Sequence, residues 1–143
     1  MKRIRVLILR HGRERGAAAV EMALVLPVLV LVIFGIVDYG RLLNAQIMMT
    51  EASREGARSA AFGQDSTAVT TRVNDAAPTL GLTASDITIT PCPSPSSATD
   101  DARVVVTYGF TFITPMPGIS RIFGGSMSGS KTLTATGIMP CRT

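Results

Sequence analysis

One acidic residue, Glu21, lies inside an apolar run that extends from Ala17 to Val37 and carries no other charge. A carboxylate in a bilayer costs roughly 2.5–3.5 kcal/mol on insertion scales and less near the interface, so such an acid usually has a function. Cleavage after Gly16 would create an α-amine at Ala17 that is largely protonated at neutral pH. Glu21, one helical turn away, could neutralise that amine in its own chain or in a neighbouring chain. Alternatively, Glu21 lies in the headgroup region, protonated or snorkelling.

The other residues that could carry out catalysis do not form a recognisable catalytic arrangement. The single histidine, His11, falls in the basic N-terminal tract, so a nucleophile elsewhere has no histidine base. Asp100 and Asp101 are adjacent, as is typical of solvated loop acids, and with Asp86 they lack the spacing of a calcium loop. We therefore expect a protein that is not an enzyme, with no metal site, cofactor or small-molecule substrate.

Cys92 and Cys141 are the only cysteines, and both follow the apolar run. If the basic N-terminal side stays in the cytoplasm, both cysteines reach an oxidising compartment, where a disulfide is expected. It would close a loop of about 50 residues and stabilise the fold by about 4 kcal/mol at most in the chain-entropy model. The sequence leaves two unpaired thiols as the alternative.

The basic charge of the chain is concentrated at its N-terminus. Residues 1–16 carry a net charge of +5, whereas residues 17–143 carry −1. The tract has no interleaved aromatic residues and directly precedes the apolar run, so membrane topology explains it better than nucleic-acid binding. We expect no nucleic-acid partner.

Residues 17–37 are long enough to cross a membrane as a helix. At 1.5 Å per residue they span about 32 Å, close to the ~30 Å hydrocarbon core of a bilayer. With 46% hydrophobic and 17% charged residues, the composition excludes an ordinary soluble protein. The run exceeds the usual length of a cleaved secretory signal. We expect a single-pass protein of the cytoplasmic (inner) membrane, with its N-terminus in the cytoplasm and its C-terminal domain outside.

The remaining patterns predict an α+β fold with a long N-terminal helix and a small antiparallel sheet near its outer half. The helix should continue from the run to residue 62 and end at Gly63. A second short helix should cover residues 68–77, with Asp65 or Ser66 as its N-cap. Alternating residues predict strands over 86–90, 103–113 and 131–139. The predicted organisation is a leader (1–16), a transmembrane helix (17–37), a helical extension (38–62) and an α+β domain (63–143).

The helical extension is predicted to be amphipathic. Its apolar stripe should pack against the C-terminal domain of the same chain or against helices of neighbouring subunits. A three-stranded sheet is marginally stable by itself, so packing on this helix would stabilise it. The predicted stripe consists of Tyr39, Leu42, Leu43, Gln46, Ile47, Met49 and Thr50.

The segment that begins at Gly16 resembles a known family. The run from Gly16 to Pro27, the pair Gly40-Arg41 and the stretch from Ala52 to Ala61 are similar to TadE-like proteins, which are pseudopilins of the tight-adherence (Tad/Flp) pilus assembly system. Met22 follows the acid where the major Flp pilins favour Tyr, which indicates a minor pseudopilin. The residues that match the family motif are Pro27, Gly40, Arg41, Glu55, Gly56, Ala57 and Arg58.

The resemblance implies a specific processing step and specific partners. A prepilin peptidase would cleave between Gly16 and Ala17, and Glu21 would pair with the new amine of a neighbour. The implied partners are the membrane, the peptidase and other Tad pilus or pseudopilin subunits. The alternative is an uncleaved, signal-anchored surface protein that binds an extracellular partner.

Overall fold

The structure is a computed structural model that describes residues 11–97, 99–114, 118, 121, 124–126 and 128–142, with side chains described from residue 16 onward. Most of the predicted leader therefore lies outside the described residues. Between Val37 and Asp38 the chain divides into two compact units.

The first helix, α1, begins at His11 and ends at Ala61. It begins before residue 17, the predicted start, because Arg13, Glu14 and Arg15 are good helix formers. Pro27 lies inside the helix, where it removes one backbone donor. An 18-residue window of α1 has a mean hydropathy of 2.8 and contains no buried residue. Among the described residues, α1 is the one helix long and apolar enough to cross a membrane.

A Schellman motif closes the C-terminal end of α1. Gly63 has a φ of +71°, the left-handed conformation that favours glycine. Its N–H donates to the carbonyl of Ala60 at 3.0 Å, and the N–H of Gln64 donates to the carbonyl of Ser59 at 3.3 Å. These two bonds satisfy carbonyls that have no partner within the helix.

The second helix, α2, extends over Ser66–Ala76. Asp65 is its N-cap, since its carboxylate accepts a hydrogen bond from the N–H of Ala68 at 2.7 Å. The sequence predicted Asp65 or Ser66 in this role. Val69 and Val73 are the buried residues of α2 and attach it to the core.

Three antiparallel strands follow: β1 (Ile87–Thr90), β2 (Asp101–Thr111) and β3 (Ser130–Pro140). Their spatial order is β1-β2-β3, so β2 is central and pairs with both neighbours. The strand bounds lie within two residues of those predicted from alternation. The α+β fold class is therefore confirmed.

The face of α1 that packs on the sheet consists mainly of small residues, and Met49 is its large apolar exception. The core joins this face to buried valines and Phe110 of β2. Small side chains let the helix and the sheet approach closely. The buried residues on this face of α1 are Ala45, Met49, Ala52, Ser53, Ala57 and Ala60.

Three residues of the predicted apolar stripe do not pack on the sheet. Tyr39, Leu43 and Ile47 are 63%, 43% and 62% exposed. The packed positions also recur every three or four residues, but on the adjacent face of the helix, so periodicity alone did not distinguish the two faces. Of the stripe, Met49 is fully buried in the core.

Candidate functional site

The predicted processing segment lies within the exposed part of α1. Gly16, Ala17 and Glu21 are all exposed, and a Cβ built on Gly16 would meet nothing within 4 Å. Glu21 follows Ala17 by four residues, so both lie on one face of the helix. Because helical side chains tilt toward the N-terminus, Glu21 leans toward the level of Ala17. This arrangement suits an ion pair with an amine at Ala17.

A buried carboxylate lies where the second unit begins. Asp38 is only 4% exposed, and it accepts three hydrogen bonds from the loop after β2. The donors are the Ile113 N–H at 3.2 Å, the Thr114 N–H at 3.1 Å and the Thr114 hydroxyl at 2.6 Å. We call Asp38, Ile113 and Thr114 together the Asp38 clamp. Its hydrogen bonds, above all that from the Thr114 hydroxyl, hold the pKa of Asp38 below its usual value.

Arg41 of the family motif supports the clamp from the next turn of α1. Its Nη1 lies 3.3 Å from Asp38 Oδ1, and its guanidinium carbon lies 5.3 Å from the centre of the Phe110 ring. Its side chain is still 43% exposed. The neighbouring Gly40 has open space where a Cβ would be. Arg41 therefore combines an internal contact with a cation that faces solvent.

In the second half of the family motif, Gly56 and Ala57 pack in the core on one side of α1. Glu55 and Arg58 lie at the surface on the other side. A Cβ on Gly56 would lie 2.6 Å from Val73 Cγ2 and 3.1 Å from Val104 Cγ1. Ala57 beside it is fully buried. Glu55 and Arg58 instead line a shallow surface groove, together with Glu51, Arg54, Ala76, Ile138 and Met139.

The exposed apolar helix face of the second unit consists of Tyr39, Leu43 and Ile47. The spacing of four residues places them in one row along α1. Isolated exposed apolar residues are ordinary, but a row of three on a helix is typical of a contact surface. It is the most prominent apolar feature that the second unit presents on α1.

Cys92 and Cys141 form a disulfide with their Cα atoms 5.8 Å apart. The Cys141 N–H also donates to the carbonyl of Asp100 at 2.8 Å, and the Ser96 hydroxyl donates to the carbonyl of Arg142 at 2.9 Å. The loop after β1 is therefore fastened to the segment that follows β3.

The acids considered as weak calcium ligands have local structural roles. Asp86 accepts hydrogen bonds from the N–H and hydroxyl of Thr83, and Asp100 accepts them from the N–H and hydroxyl of Ser97. These bonds lower the pKa of both carboxyls. No group of three potential metal ligands occurs within the described part of the chain. That the protein is not an enzyme stays a prediction.

The sequence analysis missed the Asp38 clamp. The available signal was an acid directly after the apolar run, followed by Arg41 at i+3. The partners on the other side, Ile113 and Thr114, lie 75 and 76 residues further along the chain. Sequence patterns of one chain do not reveal pairs at such a separation.

Among the described residues, one apolar helix is long enough to cross a membrane, which fits a single-pass membrane protein. Residues 16–58 match the model of the family TadE-like protein, which confirms the resemblance in the sequence. The match fits a membrane protein associated with Tad pili. Neither the curated proteins nor the solved structures contain a match to the chain.

Proposed function

We propose that the protein is a non-catalytic pseudopilin of a Tad pilus assembly system. In this proposal α1 anchors it in the cytoplasmic membrane, with the N-terminus in the cytoplasm and the second unit outside. The observation that carries the proposal is the TadE-like match, which begins at Gly16 and continues into the second unit as far as Arg58. The match therefore starts at the residue after which cleavage is predicted.

In this function a prepilin peptidase hydrolyses the peptide bond between Gly16 and Ala17. The new α-amine of Ala17 is a cation at the end of an apolar helix, and Glu21 is the only acid in that apolar run. Neutralising each charge with the other lowers the cost of keeping both near lipid. Pairing between neighbouring chains would make this ion pair a determinant of assembly.

The exposed apolar helix face supports an assembly role. Tyr39, Leu43 and Ile47 lie on the part of α1 that belongs to the second unit, where the adjacent face is occupied by the sheet. Because the core takes up mainly small residues of α1 and Met49, these three large apolar side chains stay free for other contacts. We propose that helices of other Tad subunits cover this face.

Intact mass and N-terminal sequencing, with and without the cognate prepilin peptidase, test the processing step. We expect a chain that starts at Ala17 only when the peptidase is present. Gly16→Leu should abolish cleavage, whereas Gly35→Leu is the matched control, because both glycines lie in α1 with nothing within 4 Å of a Cβ. A chain that keeps residues 1–16 under both conditions would contradict the proposal.

That contrary outcome would favour the second candidate function, an uncleaved signal-anchored protein that binds an extracellular partner. Two observations support this candidate. The helix α1 is long and apolar enough to serve as an anchor without cleavage, and the groove at Glu55 and Arg58 carries charged groups that a partner could contact. In that case the Gly16–Glu21 spacing would have no role in processing.

A further inference from the structure

The loop after β2 presents an apolar side chain beside the residue where the apolar run of α1 ends. Ile113 is 72% exposed, the highest value among the large apolar residues of the described part of the chain. Its N–H donates to Asp38 Oδ1 at 3.2 Å, and Asp38 directly follows Val37. The clamp therefore fixes this exposed side chain at a defined level along α1.

The length of the apolar run sets that level relative to a bilayer. Residues 17–37 span about 32 Å as a helix, which matches a hydrocarbon core of about 30 Å. Asp38 is then the first residue beyond the core. Each headgroup layer adds roughly 5–8 Å. Because its N–H is hydrogen-bonded to Asp38, the Ile113 backbone stays beside the first residue after the run.

The positive charge of Arg41, close to the Asp38 clamp, is compatible with a lipid surface. Arg41 lies one helical turn beyond Asp38, and 43% of its side chain is exposed. A guanidinium has five N–H donors, so Arg41 can bind a lipid phosphate while its Nη1 stays 3.3 Å from Asp38.

We propose that Ile113 inserts at the boundary between the headgroups and the acyl chains of a lipid membrane. The proposal rests on the membrane anchor of the proposed function, but not on cleavage or on assembly. Two consecutive residues donate three hydrogen bonds to one carboxylate, which holds the side chain in place for insertion.

The chain contains no tryptophan, so one introduced tryptophan reports from a single position. Ile113→Trp is compared with Leu29→Trp in the apolar run and Phe62→Trp at the end of α1. Position 62 lies 24 residues beyond Asp38, which is about 36 Å along the helix. Each full-length variant is reconstituted into phosphatidylcholine vesicles whose acyl chains carry bromine at a shallow or a deep carbon, and tryptophan emission is recorded.

We expect Ile113→Trp to lose emission with shallow bromine and less with deep bromine. Leu29→Trp should be quenched most by deep bromine, and Phe62→Trp by neither. Adding Asp38→Asn to Ile113→Trp should reduce the shallow quenching, because it weakens the clamp.

Two outcomes would overturn the proposal. They differ in whether they also overturn the membrane anchor. Quenching of Leu29→Trp alone would overturn the lipid contact of Ile113 and leave the membrane anchor intact. Absence of quenching in both Leu29→Trp and Ile113→Trp would overturn the contact together with the anchor.

Discussion

At the scale of single residues, Asp38 joins the start of the second unit to the end of β2. A buried carboxylate is stable only when its oxygens are paired, and here both oxygens accept hydrogen bonds. Removing the carboxylate leaves the N–H groups of Ile113 and Thr114 without their partner. The clamp therefore connects residues that are far apart in the chain but adjacent in the fold.

The pKa of Asp38 makes the stability of the second unit depend on pH. Because the folded-state pKa lies below the unfolded value, the charged carboxylate stabilises the fold at neutral pH. This contribution is present above the unfolded pKa of about 3.9 and is lost as the pH falls through the folded-state pKa. We expect the stability difference between the wild type and Asp38→Asn to be constant near neutral pH and to shrink below about pH 3.9.

Urea unfolding followed by circular dichroism at several pH values measures this difference. Thr114→Val removes the hydroxyl donor, so it should raise the pKa of Asp38 and move the acid loss of stability to higher pH. If the wild type and Asp38→Asn lost stability in parallel down to acid pH, the Asp38 carboxylate would not be the cause of the acid loss of stability.

Gly137 sets the distance between β3 and α1. A Cβ there would lie 2.8 Å from the backbone nitrogen of Arg54 and closer still to the carbonyl of Ser53. Because backbone atoms cannot rotate away as a side chain can, Gly137→Ala should destabilise the unit by about 1–3 kcal/mol. Gly109→Ala in β2 is the matched control, since a Cβ there meets nothing within 4 Å. Equal urea midpoints for the two variants would rule out the close approach.

At the scale of elements, the two sides of α1 differ in chemistry. One side packs small residues on the sheet, and the other presents Tyr39, Leu43 and Ile47. Substitutions on the second side should therefore affect association without affecting the fold.

We expect Leu43→Glu combined with Ile47→Glu to reduce association with other Tad subunits while the urea midpoint changes little. Co-purification of the subunits from membranes measures association. Thr88→Glu, on an exposed position of β1, adds a similar charge away from α1 and should leave association unchanged. Normal co-purification of the double variant would show that another surface makes the contact.

The elements were predictable where local chemistry determines them. Gly63 ends α1 and Asp65 begins α2 through bonds to residues within four positions, and strand alternation gave the three strands. The packed face of α1 was not predictable, because alanine and glycine contribute little to a hydrophobic pattern. Its small residues match the close approach of the sheet, which only the three-dimensional arrangement shows.

At the scale of the whole molecule, the disulfide between Cys92 and Cys141 closes a large loop that contains β2 and β3. The two cysteines are 49 residues apart in sequence. Such a crosslink reduces the conformational entropy of the unfolded chain, so reduction should destabilise the unit by about 2–4 kcal/mol.

Urea unfolding with and without reductant measures the contribution of the disulfide. The variant with Cys92→Ser and Cys141→Ser should match the reduced wild type and should not respond to reductant. Maleimide labelling of the oxidised chain before reduction would contradict the bond, because paired cysteines have no free thiol.

The Asp38 clamp also has a mechanical consequence. In the proposed pseudopilin function, a subunit drawn out of the membrane would be pulled along α1, and the tension would reach Asp38. Three hydrogen bonds would transmit part of this load from Asp38 to the loop that directly follows β2, the central strand. The helix would then not carry the load alone. Both the helical continuation of α1 and the hydrogen bonds of Asp38 would then have to break before the second unit opens. The residue that follows the apolar run would therefore also be where the second unit is reinforced against such a pull.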